Sequence, residues 1–136
     1  VSSLLPAVFN WIRDDTERPV LGTCAGAILL AEPRDGGDPL VDARIERNGF
    51  GTQADSFQST IEALALGREF PGVFIRAPRF TSSGDKAQVT AKLGNEVVGV
   101  MTNNRMALTF HPELSGDSGF HDWLLRTAKK YEADSE

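Results

Sequence analysis

The 136-residue sequence is short of several things, and each shortage excludes a class of function. It has one cysteine, so no internal disulfide can form; a reducing cytoplasm is the expected setting, and a thiol nucleophile stays available. No apolar run approaches the ~20 residues of a membrane-spanning helix, and no basic start followed by an apolar middle reads as a secretory leader. Basic residues number 14 against 19 acidic ones, a formal net charge of −5, which argues against a nucleic-acid backbone as partner. One cysteine and two histidines without ligand spacing give no metal site, and no cofactor is expected. Repeats, linkers and low-complexity stretches are missing too. So is an initiating methionine: the chain opens at Val1, directly into an apolar helical pattern.

What is there reads as a single α/β domain over residues 1–136, with a polar tail at 129–136 that is expected to fray. Ser2 or Ser3 can cap a first helix with Leu5, Val8, Phe9 and Ile12 at helical spacing and Pro6 in its first turn. A short buried strand, 19–23, ends abruptly at Cys24. Helical composition restarts at 25–31 and stops before Pro33. Val41, Ala43 and Ile45 then alternate with polar residues as a half-exposed strand. Further strands are predicted at 73–76, 88–93, 97–102 and 106–110, with turn signals at Gly94-Asn95 and Asn103-Asn104. Phe120, Trp123, Leu124 and Thr127 mark a closing helix, which also holds His121 as a surface or packing residue.

Two local patterns carry chemistry. Gly22-Thr23-Cys24-Ala25-Gly26 lies between a predicted strand and a predicted helix, the arrangement of a nucleophile elbow. The sharp turn calls for small neighbours, and the start of the next helix favours the thiolate. The bland alternative is a buried structural cysteine beside packing glycines. The second pattern is Phe110-His111-Pro112-Glu113-Leu114, just after a strand. Residues two apart on an extended segment point the same way, so Glu113 can orient His111. With Cys24 these supply nucleophile, base and orienting acid. Arg47 and Arg76, near predicted strand ends, could grip a carboxylate, although most arginines are merely solvated.

These patterns resemble the class I glutamine amidotransferases. Arg47-Asn48-Gly49-Phe50-Gly51, Gln53, Asp55-Ser56-Phe57 and Val73-Phe74-Ile75-Arg76-Ala77-Pro78 narrow the resemblance to the glutaminase-subunit family of pyridoxal 5′-phosphate synthase. The resemblance implies a three-layer, flavodoxin-like domain with a mixed, mostly parallel sheet whose N-terminal strands are missing from this sequence. It implies Cys24, His111 and Glu113 as the catalytic triad, Arg47, Ile75 and Arg76 as contacts to L-glutamine, and the Ala25 N–H as one oxyanion donor. It further implies a synthase subunit as partner, to which ammonia passes. The family's P-G-G-E-S loop, source of the other oxyanion donor, has no counterpart here, and Gly49 and Thr52 depart from the usual residues. An amidotransferase subunit for another acceptor, or an inactive domain that only binds a partner, remain the alternatives.

Overall fold

The computed structural model of the chain describes residues 5–47 and 56–135. The expected caps Ser2 and Ser3, and the 48–55 part of the resemblance with Gly49 and Thr52, lie outside the described residues. Helix α1 spans Leu5–Asp14. Pro6 is its second residue, where the missing N–H has no helical acceptor to lose. Phe9 and Ile12 are buried, whereas Val8, expected on the same stripe, is 47% exposed. Strand β1, Val20–Thr23, leads through Cys24 into α2, Ala25–Ala31. The remaining strands are β2 Ala43–Glu46, β3 Ser56–Ala63, β4 Arg68–Ile75, β5 Arg79–Ser83, β6 Gln88–Leu93, β7 Glu96–Thr102 and β8 Arg105–Leu108. A 3-10 turn, Pro112–Leu114, precedes α3, Gly119–Ser135. Helix α3 therefore carries the expected tail in helical form up to Ser135.

Six strands form one mixed sheet in the order β1-β8-β7-β6-β3-β4, and β2 pairs separately with β5. The sheet is mixed as expected but not mostly parallel: among the described residues β1·β8 is parallel and the other pairings are antiparallel. The cause is local. β6, β7 and β8 are joined by the tight turns Gly94-Asn95 and Asn103-Asn104, which can only connect antiparallel neighbours. Gly94 (φ 60°) and Asn103 (φ 54°) take the left-handed conformation these turns require.

Two apolar clusters cover the two faces of this sheet. On one face, Phe9 and Ile12 of α1 and Ala27, Leu30 and Ala31 of α2 pack with Val100 and Ala107 of the sheet. On the other, Ile61, Phe70, Phe74, Met106 and Leu108 pack with Phe110 and with Phe120 of α3. Helices on both faces make the three layers anticipated from element order. The second cluster is dominated by rings: Phe70 meets Phe120 edge-on at 4.9 Å, and Phe110 lies 5.5 Å from Phe74 and 5.6 Å from Phe120. At the opposite end of the sheet, the buried guanidinium of Arg105 donates to the carbonyls of Ile12 (3.0 Å) and Leu40 (3.3 Å). It thereby ties the last turn of α1 to the first residue of β8.

Candidate active site

The elbow begins with Gly22. A β-carbon there would stand 2.7 Å from Leu30 Cδ1 and 2.8 Å from the Gly26 carbonyl oxygen, so α2 can fold back onto β1 only over a glycine. Gly26 differs from the sequence expectation of close packing on both sides: a β-carbon there would meet nothing within 4 Å. Between them Cys24 takes φ 52° and ψ −108°, a region that residues with a side chain rarely occupy. The strain is held by the elements around it. Cys24 N–H donates to Leu108 O of the neighbouring strand at 2.8 Å, and Cys24 O accepts from the N–H groups of Ala27 (3.0 Å) and Ile28 (3.3 Å) in α2. Strain that the surroundings enforce in this way is characteristic of functional positions.

Because β1 and β8 run parallel with Thr23 opposite Leu108, the residues that follow both strands emerge at the same end of the sheet. After β1 comes Cys24; after β8 come Thr109, Phe110 and His111. The Thr109 N–H binds Val98 O at 3.0 Å, and the His111 N–H binds Val73 O at 2.8 Å, so the segment beyond β8 stays tied to the sheet. His111 Nδ1 lies 2.6 Å from Glu113 Oε2. With the carboxylate accepting a hydrogen bond from Nδ1–H, the other ring nitrogen is free to act as an acceptor. The pair stands partly open to solvent, with the Glu113 side chain 43% exposed.

Around the thiol, Ile75 O is 3.7 Å from Cys24 Sγ, which places the end of β4 against the sulfur. Burial pushes the thiol pKa up; the hydrogen bond from the Ala25 backbone opposes this, and the Glu113 charge adds to it. At the start of α2 the Ala25 N–H does favour the thiolate, as expected, but desolvation outweighs it. A thiol shifted in this direction becomes a nucleophile most readily with the help of a neighbouring base. That the Glu113 charge is felt at Cys24 agrees with both residues standing at one end of the sheet.

The other expected positions are brought together less completely. Arg76 (φ 44°) is exposed and directly follows Ile75 at the end of β4. Arg47 is exposed in the turn after β2; Glu46 pairs with Arg79 of β5, which brings that turn toward the link between β4 and β5. Neither guanidinium makes a hydrogen bond or ion pair among the described residues. His121 sits half-buried in the first turn of α3. The sequence patterns do not single out Arg68, Ser115 or Asp117; Ser115 and Asp117 follow the 3-10 turn, and Arg68 binds Asp117. The polar Ser115-Gly116-Asp117-Ser118 run was their visible trace.

Comparison with known proteins decides the family: the model of the SNO glutamine amidotransferase family matches residues 2–130. The chain belongs to that family. Among curated relatives, a pyridoxal 5′-phosphate synthase subunit PdxT from Methanothermobacter thermautotrophicus is 42% identical over 113 residues, covering 81% of this chain and 58% of the relative. The protein of that name from Thermococcus kodakarensis is 43% identical over 117 residues, covering 81% of this chain and 59% of the relative. The chain thus spans less than two thirds of the length of these relatives. A crystal structure titled glutamine amidotransferase superposes with a TM-score of 0.72 at 41% identity, covering 82% of this chain and 61% of that one. A glutamine amidotransferase from Thermotoga maritima shares the fold at 18% identity and a TM-score of 0.59, over 95% of this chain and 54% of its own. No described helix is long and apolar enough to cross a membrane.

Proposed function

We propose that this chain carries the glutaminase chemistry of a pyridoxal 5′-phosphate synthase, hydrolysing L-glutamine to L-glutamate and ammonia for a synthase subunit in the cytoplasm. The observation that carries the reading is the strained Cys24 at the end of β1, at the same end of the sheet as the His111–Glu113 pair beyond the parallel β8. Membership of the family and the 42–43% identity to subunits of that synthase support it.

In this reading His111 removes the Cys24 thiol proton, and the sulfur attacks the carboxamide carbon. The resulting oxyanion is held by the Ala25 N–H. The C–N bond breaks as His111 returns its proton to the departing nitrogen, leaving a glutamyl thioester and ammonia. Water, deprotonated by His111, then attacks the thioester; the C–S bond breaks and glutamate leaves. Glu113 holds the imidazole in the required tautomer throughout. Arg47, Ile75 and Arg76 contact the amino-acid part of glutamine, the arginines matching its carboxylate.

The test is glutamate release from L-glutamine by this chain, with and without a pyridoxal 5′-phosphate synthase synthase subunit, beside Cys24→Ala. Release that depends on the synthase subunit and disappears in Cys24→Ala is expected. Release that survives Cys24→Ala overturns the triad. Stimulation only by the synthase of another pathway reassigns the acceptor, and binding without any release leaves a partner-binding domain in its place.

A further inference from the structure

Strand β4 runs past the whole site. At its end, Ile75 O lies against the Cys24 sulfur; Val73 O takes the His111 N–H; and its first residue, Arg68, grips Asp117 with two parallel N–H···O bonds of 2.8 and 2.9 Å. From Asp117 the contacts continue toward Glu113. Asp117 N–H donates to Ser115 Oγ (3.1 Å), and the Ser115 hydroxyl donates to Pro112 O (2.7 Å), the first residue of the 3-10 turn that contains Glu113. We propose that Arg68 is a positioning residue: through Asp117 and Ser115 it sets the turn at 112–114 against β4, and so holds the His111–Glu113 pair in register with Cys24. This deepens the glutaminase reading and rests on it.

Three features favour this over a surface ion pair of no consequence. A single 3-10 turn has poor internal hydrogen-bond geometry and needs an outside hold to keep an exposed carboxylate in one place. The Arg68 side chain is 47% exposed, yet its guanidinium is flanked on two sides: a β-carbon at Gly119 would stand 2.6 Å from its Nη2, and its Cζ lies 6.0 Å from the centre of the Phe70 ring. Its two-pronged bond fixes an orientation as well as a distance. Asp117 does a second job, since its carboxylate also accepts the Gly119 N–H at the start of α3 (2.9 Å). Replacing Asp117 would unseat that helix, whereas replacing Arg68 leaves the helix start intact.

The experiment therefore uses Arg68→Met and Arg68→Lys in the full chain, assayed with the synthase subunit. In parallel, the pH dependence of alkylation of Cys24 by iodoacetamide is followed; as the only cysteine, it reports on its own base without turnover. In Arg68→Met, kcat falls by roughly 10- to 100-fold while KM for glutamine stays within about twofold. Its alkylation profile moves off that of the wild type toward that of His111→Asn, while Arg68→Lys recovers part of both. Ser115→Ala, which removes the hydroxyl link alone, shifts the profile the same way and carries the test if Arg68→Met does not fold. An alkylation profile identical to the wild type overturns the proposal. So does a loss of kcat in which Arg68→Lys is no better than Arg68→Met and thermal stability falls in step. If the wild type releases no glutamate with any synthase, the glutaminase reading fails, and the alkylation profiles still decide the positioning role.

Discussion

The two halves of the site are built in opposite ways. The cysteine half is made of backbone: a glycine that admits no β-carbon, a residue at φ 52°, and hydrogen bonds from and to the main chain. The histidine half, tied to β4 by one main-chain bond at His111, otherwise rests on side chains: a carboxylate on an imidazole, a hydroxyl on a carbonyl, and a layer of phenylalanines. A backbone-built position either forms or does not, because packed main chain has few intermediate arrangements. A position held by side chains can loosen by degrees. The elbow is therefore expected to fail through folding, and the His111–Glu113 half through rate.

The largest expected effect tests the side-chain half directly. Glu113→Gln keeps the shape but removes the charge that fixes the imidazole, and kcat should fall by roughly 10²–10⁴-fold, the range for general acid–base catalysis, with the melting temperature nearly unchanged. A matching drop in stability would remove the distinction between the halves. Next is Phe110→Ala, which removes from the phenylalanine layer the ring that directly precedes His111 in the chain. Its side chain is fully buried, so urea unfolding should show a loss of about 3–5 kcal/mol. Loss of glutamate release should follow from the unfolded fraction.

Smaller, and aimed at the backbone half, is the contrast between the two elbow glycines. Gly22→Ala forces α2 off β1 and should cost about 1–3 kcal/mol in stability. Gly26→Ala enters open space inside a helix and should stabilise by about 0.5–1 kcal/mol. Equal effects in thermal melts would mean that the elbow is not a tightly packed turn. The smallest effect lies outside both halves and calibrates them. The Arg13 guanidinium, and then the Gly37 N–H, hold the Asp35 carboxylate down to about 2. A lowered carboxylate pKa contributes stability above its ordinary range near 4, and that contribution is lost as pH falls through about 2. Asp35→Asn should melt slightly below the wild type at neutral pH, with the gap closing between about pH 4 and pH 2, and without effect on glutamate release.

Much of this was readable along the chain because the features are local. Helix α2 and strand β6 lie where composition and alternation put them, and both turn signals fell between the strands they join. Cys24 and the His111-Pro112-Glu113 turn were legible because each is a short pattern whose neighbours explain it. Strand β4 was recognised only from Val73 onward, since Pro71 and Gly72 argue against a strand; Pro71 is accommodated because β4 ends the sheet order. β5 was missed because it buries only Phe80. β3 has the right alternation, but its inward Ser59 and Ala63 blur the pattern. The parallel share of the sheet was overestimated because the resemblance spoke for a whole fold, while this chain supplies a meander. The clasp of Arg68 on Asp117 was out of reach in principle. It joins positions 68 and 117, and no periodicity within one segment encodes such a pair.

The parallel pairing of β1 with β8 has one more consequence, and it concerns time rather than structure. The meander β6-β7-β8 closes through short loops, whereas Val20 must find Arg105 across most of the chain. Long loops close late because their entropy is spent before any contact repays it. The thiol and the imidazole are therefore expected to meet near the end of folding. In a refolding chain pulsed with an alkylating reagent, the shift of Cys24 from its unfolded to its native reactivity should then lag behind the burial of Trp123 against the ring layer. The sole cysteine would serve as a clock for the last step of its own assembly.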